Sequence, residues 1–211
     1  MHEEVLPAWT KDVLDRLMKN EILAGAYLAD GTNIALQLGH RISRDLDFFT
    51  SKKFDERVLS KRLGEQGFVV EDMDWQTING FFDGVKFSYF HYPYPLLSET
   101  LAYNSVELAS LLDAAVMKIE AIASRGTKRD FIDLFVVLQS EHWRLEELMR
   151  SYQRKYSQNQ NTVLHALKSL TFFDDAETDD TPLTMLQPLE WSDVKTFFQG
   201  QAALIAENLF L

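Results

Sequence analysis

A chain of 211 residues, 46% of them hydrophobic and 12% aromatic, can bury a sizeable core, which excludes global disorder. It has no cysteine, which excludes disulfides, thiolate metal sites and cysteine nucleophiles, so any metal must be held by oxygen ligands or by some of the 5 histidines. A formal net charge of -11 argues against a general nucleic-acid coat, whose affinity rests on basic contacts to phosphate, but leaves room for local basic clusters and for docking of a basic partner.

In chain order, a first amphipathic helix is expected over 9–19, with Val13, Leu14 and Leu17 on one side. An apolar strand follows over 22–28, broken by Asp30-Gly31, and then a short helix over 33–39. After the polar turn His40-Arg41-Ile42-Ser43-Arg44 comes a strand over 45–49, then a helix over 55–65. Three β-rich stretches span 68–73, 75–82 and 85–92, the last two joined at the hairpin signal Asp83-Gly84. Beyond Pro93 and Pro95 the pattern turns helical: 107–124, 130–139, 145–156, 162–172 and 192–208, with the acidic run 174–180 expected as a solvated loop. The order implies an α+β chain divided into a mixed part over 1–104 and a helical part over 105–211. The opening MHEEVLPAWTKD is too polar for a secretory signal, and no apolar run approaches the ~18–20 residues that span a bilayer, so a cytoplasmic protein without membrane contact is expected.

The stretch from Asp30 to Phe49 concentrates the chemistry. Side chains two apart on a strand share a face, so Asp45 and Asp47 present two carboxylates side by side. Like charges that close are costly unless a cation stands between them, which makes the pair a candidate clamp for a hard metal. Gly31-Thr32, opening a helix, offers N–H groups and a hydroxyl suited to phosphate oxygens. Farther on, Lys118 lies in an otherwise apolar helical run, so its ammonium either snorkels or is aimed inward. Arg125, Lys128 and Arg129 gather around Gly126, and Arg129 and Asp133 stand four apart. Each feature alone has a plain structural explanation as a strand-end acid, a turn, a helix cap or an ion pair. Their order and spacing together favour a site.

These two stretches resemble the signature blocks of the AbiEii/AbiGii toxin family of nucleotidyltransferases, a branch of the DNA polymerase β-like superfamily. Gly31-Thr32 and His40-Arg41-Ile42-Ser43-Arg44-Asp45-Leu46-Asp47 resemble the first block; Lys118, Arg125-Gly126 and Arg129-Asp130-Phe131-Ile132-Asp133-Leu134 resemble the second. The resemblance covers roughly the first two thirds of the chain. It implies a nucleotidyltransferase-type mixed sheet flanked by helices, with a C-terminal helical bundle. It further implies Mg²⁺ on Asp45 and Asp47, and nucleoside triphosphate phosphates on Gly31 and Thr32. Lys118 would neutralise the triphosphate, and Asp133 would orient Lys118 or act as a last acid of the site. Ser43, Arg41, Arg44 and Arg129 would contact nucleotide or RNA phosphate. The implied partners are an RNA acceptor such as the 3′ end of tRNA, and a cognate antitoxin.

Three departures stand out: Asp30 where the family pattern has glycine, Asn33 where it has alanine, and Ser88 on the strand that often carries a third carboxylate. They leave two other readings open, a nucleotide-binding protein that has lost turnover and an acidic interaction module. His40 is expected as a buried structural histidine. Tyr89, Phe90, Tyr92 and Tyr94 are expected to be core packing rather than a base-stacking surface.

Overall fold

The computed structural model describes residues 1–19, 21–156 and 160–209. Its strands are β1 (Tyr27–Leu28), β2 (Leu46–Thr50), β3 (Phe68–Asp74), β4 (Thr77–Phe82), β5 (Val85–His91), β6 (Leu101–Tyr103) and β7 (Val106–Leu108). Together they make one mixed sheet in the order β3-β4-β5-β2-β1-β7-β6. β2 runs parallel to β5, and β1 runs antiparallel to β2 and parallel to β7. The helices are α1 (Ala8–Met18), α2 (Asp30–Leu38), α3 (Glu56–Gly64), α4 (Leu111–Ser124), α5 (Lys128–Ser140), α6 (Leu145–Tyr156), α7 (Gln160–Ser169), α8 (Asp174–Thr178) and α9 (Trp191–Leu209). This is the α+β architecture expected, a mixed sheet flanked by helices.

Strand alternation decides what each sheet face does. On β2 and β5, Leu46, Phe48, Val85, Phe87 and Tyr89 enter a core completed by Val13, Leu14 and Leu17 of α1 and Leu59 and Leu63 of α3. Each such side chain contributes about 1.5–3 kcal/mol by leaving water. The opposite face carries Asp47, Phe49, Ser88 and Phe90. A second core joins Ile34 of α2 to α4, α5, α6 and α9 through residues such as Ile119, Phe131, Leu134 and Phe198. Helix α2 feeds both cores, with Ala35 and Leu36 in the first and Ile34 in the second. It stops at Gly39, whose φ of 67° is the left-handed conformation that glycine adopts at low cost.

Several elements differ from the sequence reading. The strand expected over 22–28 shrinks to Tyr27–Leu28, because Gly25 at φ 81° breaks the chain just before it. The helix expected from 107 begins at Leu111, since Val106–Leu108 is an edge hairpin partner with alternating burial. Ser110 then starts the helix by accepting a hydrogen bond from the Asp113 N–H. The hairpin β6–β7 turns at Asn104 (φ 53°), so the division at 104/105 falls inside a turn and the strand that pairs with β1 lies beyond it. The helix expected over 162–172 ends at Ser169. The acidic run is partly the short helix α8 rather than a loop: Ala176 is buried, and the indole N–H of Trp191 and the ammonium of Lys195 both donate to Glu177.

A strap of chain from Tyr92 to Ser98 is fixed by one buried ion pair. The Asp113 carboxylate accepts from Leu97 N–H (2.9 Å), Ser98 N–H (3.1 Å) and Lys155 Nζ (2.6 Å), while Lys155 also donates to the Pro95 carbonyl (2.9 Å). Both side chains of the pair are fully buried. Asp113→Ala would therefore leave a buried ammonium without its counter-charge and should cost about 3–5 kcal/mol in urea unfolding. Substituting exposed Phe172 by alanine should leave the midpoint nearly unchanged.

Candidate active site

The open face of β2 and β5 forms the floor of a cavity of about 650 Å³, roofed by α4 and closed at one end by the start of α2. Asp45, Asp47 and Phe49 step along one wall, Ser88, Phe90 and Tyr92 along the next, and Met117, Lys118, Glu120 and Arg125 face them. Asp47 lies opposite Ser88 in the parallel register. Asp45 and Asp47 thus share a face, as the two-residue spacing predicts, with Asp45 just outside the strand.

Behind this wall lies a dense ion network. Lys118 on α4 is buried and bonds Asp130 Oδ1 (2.9 Å), Asp133 Oδ2 (3.1 Å) and the Asp30 carboxylate. Burial alone would lower its pKa, but Asp130, Asp30 and Asp133 together hold the ammonium above its ordinary value. Asp133 is itself fully buried; Arg41 Nε (2.7 Å) and Nη2 (2.8 Å) grip its two oxygens, and His40 Nε2 lies 2.8 Å from Oδ1. Burial pushes the Asp133 carboxyl up, and the Arg41 and Lys118 charges overcome this and hold it well below the usual carboxylate range.

The residues singled out from sequence separate into two groups. Asp45, Asp47, Lys118 and Arg129 line the cavity, with Arg129 Nη1 3.8 Å from Asp45 Oδ2, and Gly31, Thr32 and Arg41 border it at its α2 end, the Thr32 hydroxyl and the Arg41 guanidinium already engaged. Arg41 does not fit the expected phosphate contact: its forked donors are spent on Asp133, and Nη1 donates to the Ile42 carbonyl (3.1 Å) and Ser43 Oγ (3.3 Å). Ser43 and Thr32 are likewise buried and share a 2.7 Å hydrogen bond, with the Thr32 hydroxyl also on the Asp45 carbonyl, so both hold the motif loop rather than present free hydroxyls. Gly31 has a packing reason of its own, since a Cβ there would collide with the Arg41 guanidinium. Arg44 is exposed and lines a neighbouring groove with Arg129 and residues 181–184. Asp133 bonds Lys118 and is fully buried behind the cavity wall. His40 is fully buried, as read from sequence, and its Nε2 is hydrogen-bonded with Asp133.

Four cavity residues were not among the candidates read from sequence: Asp130, Phe90, Tyr92 and Asp30. Asp130, read only as part of a motif, bonds Lys118, Arg125 Nε (3.1 Å) and the Thr127 hydroxyl (2.7 Å). Its signal was the Arg125-Gly126-Thr127 turn, which brings α5's first carboxylate back against α4. Core packing was expected of Tyr89, Phe90 and Tyr92: it holds for Tyr89 and for Tyr92, which packs against the second core while also bordering the cavity, whereas Phe90 faces the cavity. Asp30, the departure from glycine, adopts φ 59°, a left-handed conformation that costs a non-glycine residue of order 1–3 kcal/mol, and it pairs with Lys118 and Arg125.

The acid pair suits a hard cation. Desolvation first, then the charges of Asp30 and Asp45, push Asp47 up to about 6, a crowding that a divalent ion would relieve. Among the described residues no three His, Asp or Glu side chains converge on a metal by themselves. The pair would therefore hold Mg²⁺ only with further oxygens, such as those of a phosphate ligand.

Because the Asp133 and Asp130 carboxyls are held below their unfolded values, their stabilisation is full at neutral pH and is lost as pH falls below about 4 toward the depressed values. Asp133→Asn should cost about 3–5 kcal/mol at pH 7 and flatten the acid limb of stability in urea unfolding across pH. Gly31→Ala should cost about 1–3 kcal/mol through the collision with Arg41.

The fold is shared with solved structures at low sequence identity. A Helicobacter pylori protein assigned as a nucleotidyltransferase superposes with a TM-score of 0.55 at 18% identity, covering 95% of this chain and 94% of that one. JHP933 from Helicobacter pylori superposes with a TM-score of 0.51 at 18% identity, covering 97% and 94%. No family model matches the chain. Its sequence is 33% identical over 207 residues to the uncharacterized protein aq_aa25 of Aquifex aeolicus (strain VF5), covering 94% of this chain and 96% of the relative. The chain thus belongs to the same family as the Aquifex protein aq_aa25 and carries a nucleotidyltransferase-type α+β fold.

Proposed function

We propose that the protein is a nucleotidyltransferase that transfers a nucleotidyl group from a nucleoside triphosphate to an RNA hydroxyl. The single observation that supports this best is the pairing of Asp45 and Asp47 on one strand face opposite Lys118 in one cavity. In the reaction, the acceptor oxygen bonds to the α-phosphorus in line as the bond to pyrophosphate breaks, and the hydroxyl proton passes to solvent. The protein's task is then positioning and charge neutralisation. Asp45 and Asp47 would hold Mg²⁺, which when bound supplies charge to the phosphate oxygens. Lys118 is kept protonated and rigid by Asp130 and Asp133, so its ammonium is preorganised rather than mobile. Arg125, with 55% of its side chain exposed, and Arg129 add positive charge at the cavity rim. The resemblance to the AbiEii/AbiGii family supports a cytoplasmic toxin role, with the 3′ end of tRNA as acceptor and a cognate antitoxin as partner. No helix among the described residues is long and apolar enough to cross a membrane.

Asp30 favours a second reading, a nucleotide-binding protein without turnover, because its carboxylate occupies Lys118 and Arg125 where a triphosphate would sit. The test is transfer of α-labelled nucleoside triphosphate to total tRNA with Mg²⁺. Label should enter RNA and fall on the order of a hundredfold or more in Asp45→Asn, which keeps the fold because Asp45 is part-exposed. Binding without transfer to any RNA would favour the second reading. Asp30→Gly should relieve backbone strain and tighten nucleotide binding several-fold, read as a lower KM or Kd.

A further inference from the structure

Every arginine and lysine that lines the cavity is committed to a carboxylate except one. Arg41, Lys118, Arg125 and Arg129 stand in ion pairs with Asp133, Asp130, Asp30 and Asp45. Lys86 of β5 also lines the cavity and is exposed, and its ammonium has neither a hydrogen bond nor an ion pair among the described residues. Strand register fixes where that charge stands. Lys86 precedes Ser88 by two residues on the open face, and Ser88 pairs with Asp47. One strand spacing across and two residues along place the Lys86 backbone roughly 8 Å from that of Asp47. On the other side, Phe81 of β4 lies opposite Lys86, and beyond it the exposed carboxylates of Glu71 and Asp72 on β3 border the cavity. The lysine is thus an isolated positive point between the acid pair and an acidic rim.

We infer that Lys86 binds the last phosphodiester of the RNA acceptor and so brings the terminal hydroxyl to the acid pair. The inference rests on the nucleotidyltransferase reading and adds the path of the acceptor. In-line transfer puts the attacking oxygen opposite the leaving pyrophosphate. Under that reading pyrophosphate leaves toward Lys118 and Arg125, at the start of α2, the helix that follows β1. β1 and β5 flank β2 on opposite sides, so the acceptor has to arrive over β5, where Lys86 stands. A phosphodiester one nucleotide back from the reacting hydroxyl is within reach of a flexible lysine stem at that separation. An ammonium meets a phosphate as a point charge whatever the base, so it adds affinity and register without reading sequence. Glu71 and Asp72 repel a strand that continues across β3, which confines the contact to a chain end. A net charge of -11 agrees with that restriction, since an internal RNA segment needs an extended cationic track.

The test compares the full chain with Lys86→Gln and Lys86→Arg in binding total tRNA over a range of salt concentrations, beside calorimetric binding of nucleoside triphosphate with Mg²⁺. Lys86→Gln should weaken RNA binding several-fold and reduce the slope of log K against log salt by about one, while nucleotide affinity stays within about twofold. Lys86→Arg keeps the charge and should restore both the affinity and the slope. Lys86 is exposed, so neither substitution removes a core contact. Unchanged RNA affinity and slope in Lys86→Gln, with wild-type protein binding both ligands, would overturn the inference and leave the nucleotidyltransferase reading standing. An equal loss of nucleotide binding would overturn it by assigning Lys86 to the triphosphate. Wild-type binding of nucleotide but not of RNA would overturn the inference together with the RNA acceptor, and binding of neither would overturn the nucleotidyltransferase reading as well.

Discussion

The buried charge network around Lys118 is the constraint on which the rest depends. Three carboxylates from two helices meet one ammonium, and the deepest of them, Asp133, is also clamped by Arg41. Burying so much charge is expensive, and each member is tolerable only because the others are present. The network therefore fixes relative positions: α2 through Asp30, the motif loop through Arg41, α4 through Lys118 and α5 through Asp130 and Asp133. A cavity whose roof and floor come from separate elements keeps its shape through these bonds. The segment 184–187 adds a backbone brace, with Ile42 N–H on the Thr184 carbonyl and Leu186 N–H on the His40 carbonyl, both 2.9 Å.

Sheet periodicity does the second half of the work. The same alternation that sends Leu46 and Phe48 into the core sends Asp47 and Phe49 to the cavity, and the parallel neighbour β5 repeats it with Phe87 and Tyr89 against Ser88 and Phe90. One strand pair thus lays out a polar end and an aromatic end in sequence order. The pull of Asp30 toward Lys118 and Arg125 sets the resting electrostatics of the polar end, in which cations and carboxylates already satisfy one another. Under the proposed function, an incoming triphosphate would exchange with that carboxylate rather than fill an open cationic pocket.

Much of this was legible in the sequence, for identifiable reasons. Asp45 and Asp47 follow from a period of two, and Lys118 stood out as a lone charge in an apolar helix. The strongly periodic helices fell within a few residues of their positions. Short elements were harder: β1 and the hairpin β6–β7 hold two and three residues per strand, too few for a pattern to accumulate, and exist because neighbours pair with them. The bonds that already engage the Arg41, Thr32 and Ser43 side chains were not legible, because a motif says which residues recur, not whether their donors are already taken. Only the long-range bond from Arg41 to Asp133, 92 residues apart, reveals that. Asp130 was hidden by the same logic, since its partner Lys118 lies in the preceding helix.

The central claim is that Asp45 and Asp47 form a cation site completed by triphosphate oxygens. The most direct measurement is paramagnetic resonance titration of Mn²⁺ into the protein with and without nucleoside triphosphate, at pH values on either side of 6. The account predicts weak binding of the ion alone, a marked gain with nucleotide, tightening as pH rises past the Asp47 value of about 6, and loss of all three in Asp47→Asn. Mn²⁺ binding that is indifferent to nucleotide and unchanged in Asp47→Asn would contradict it.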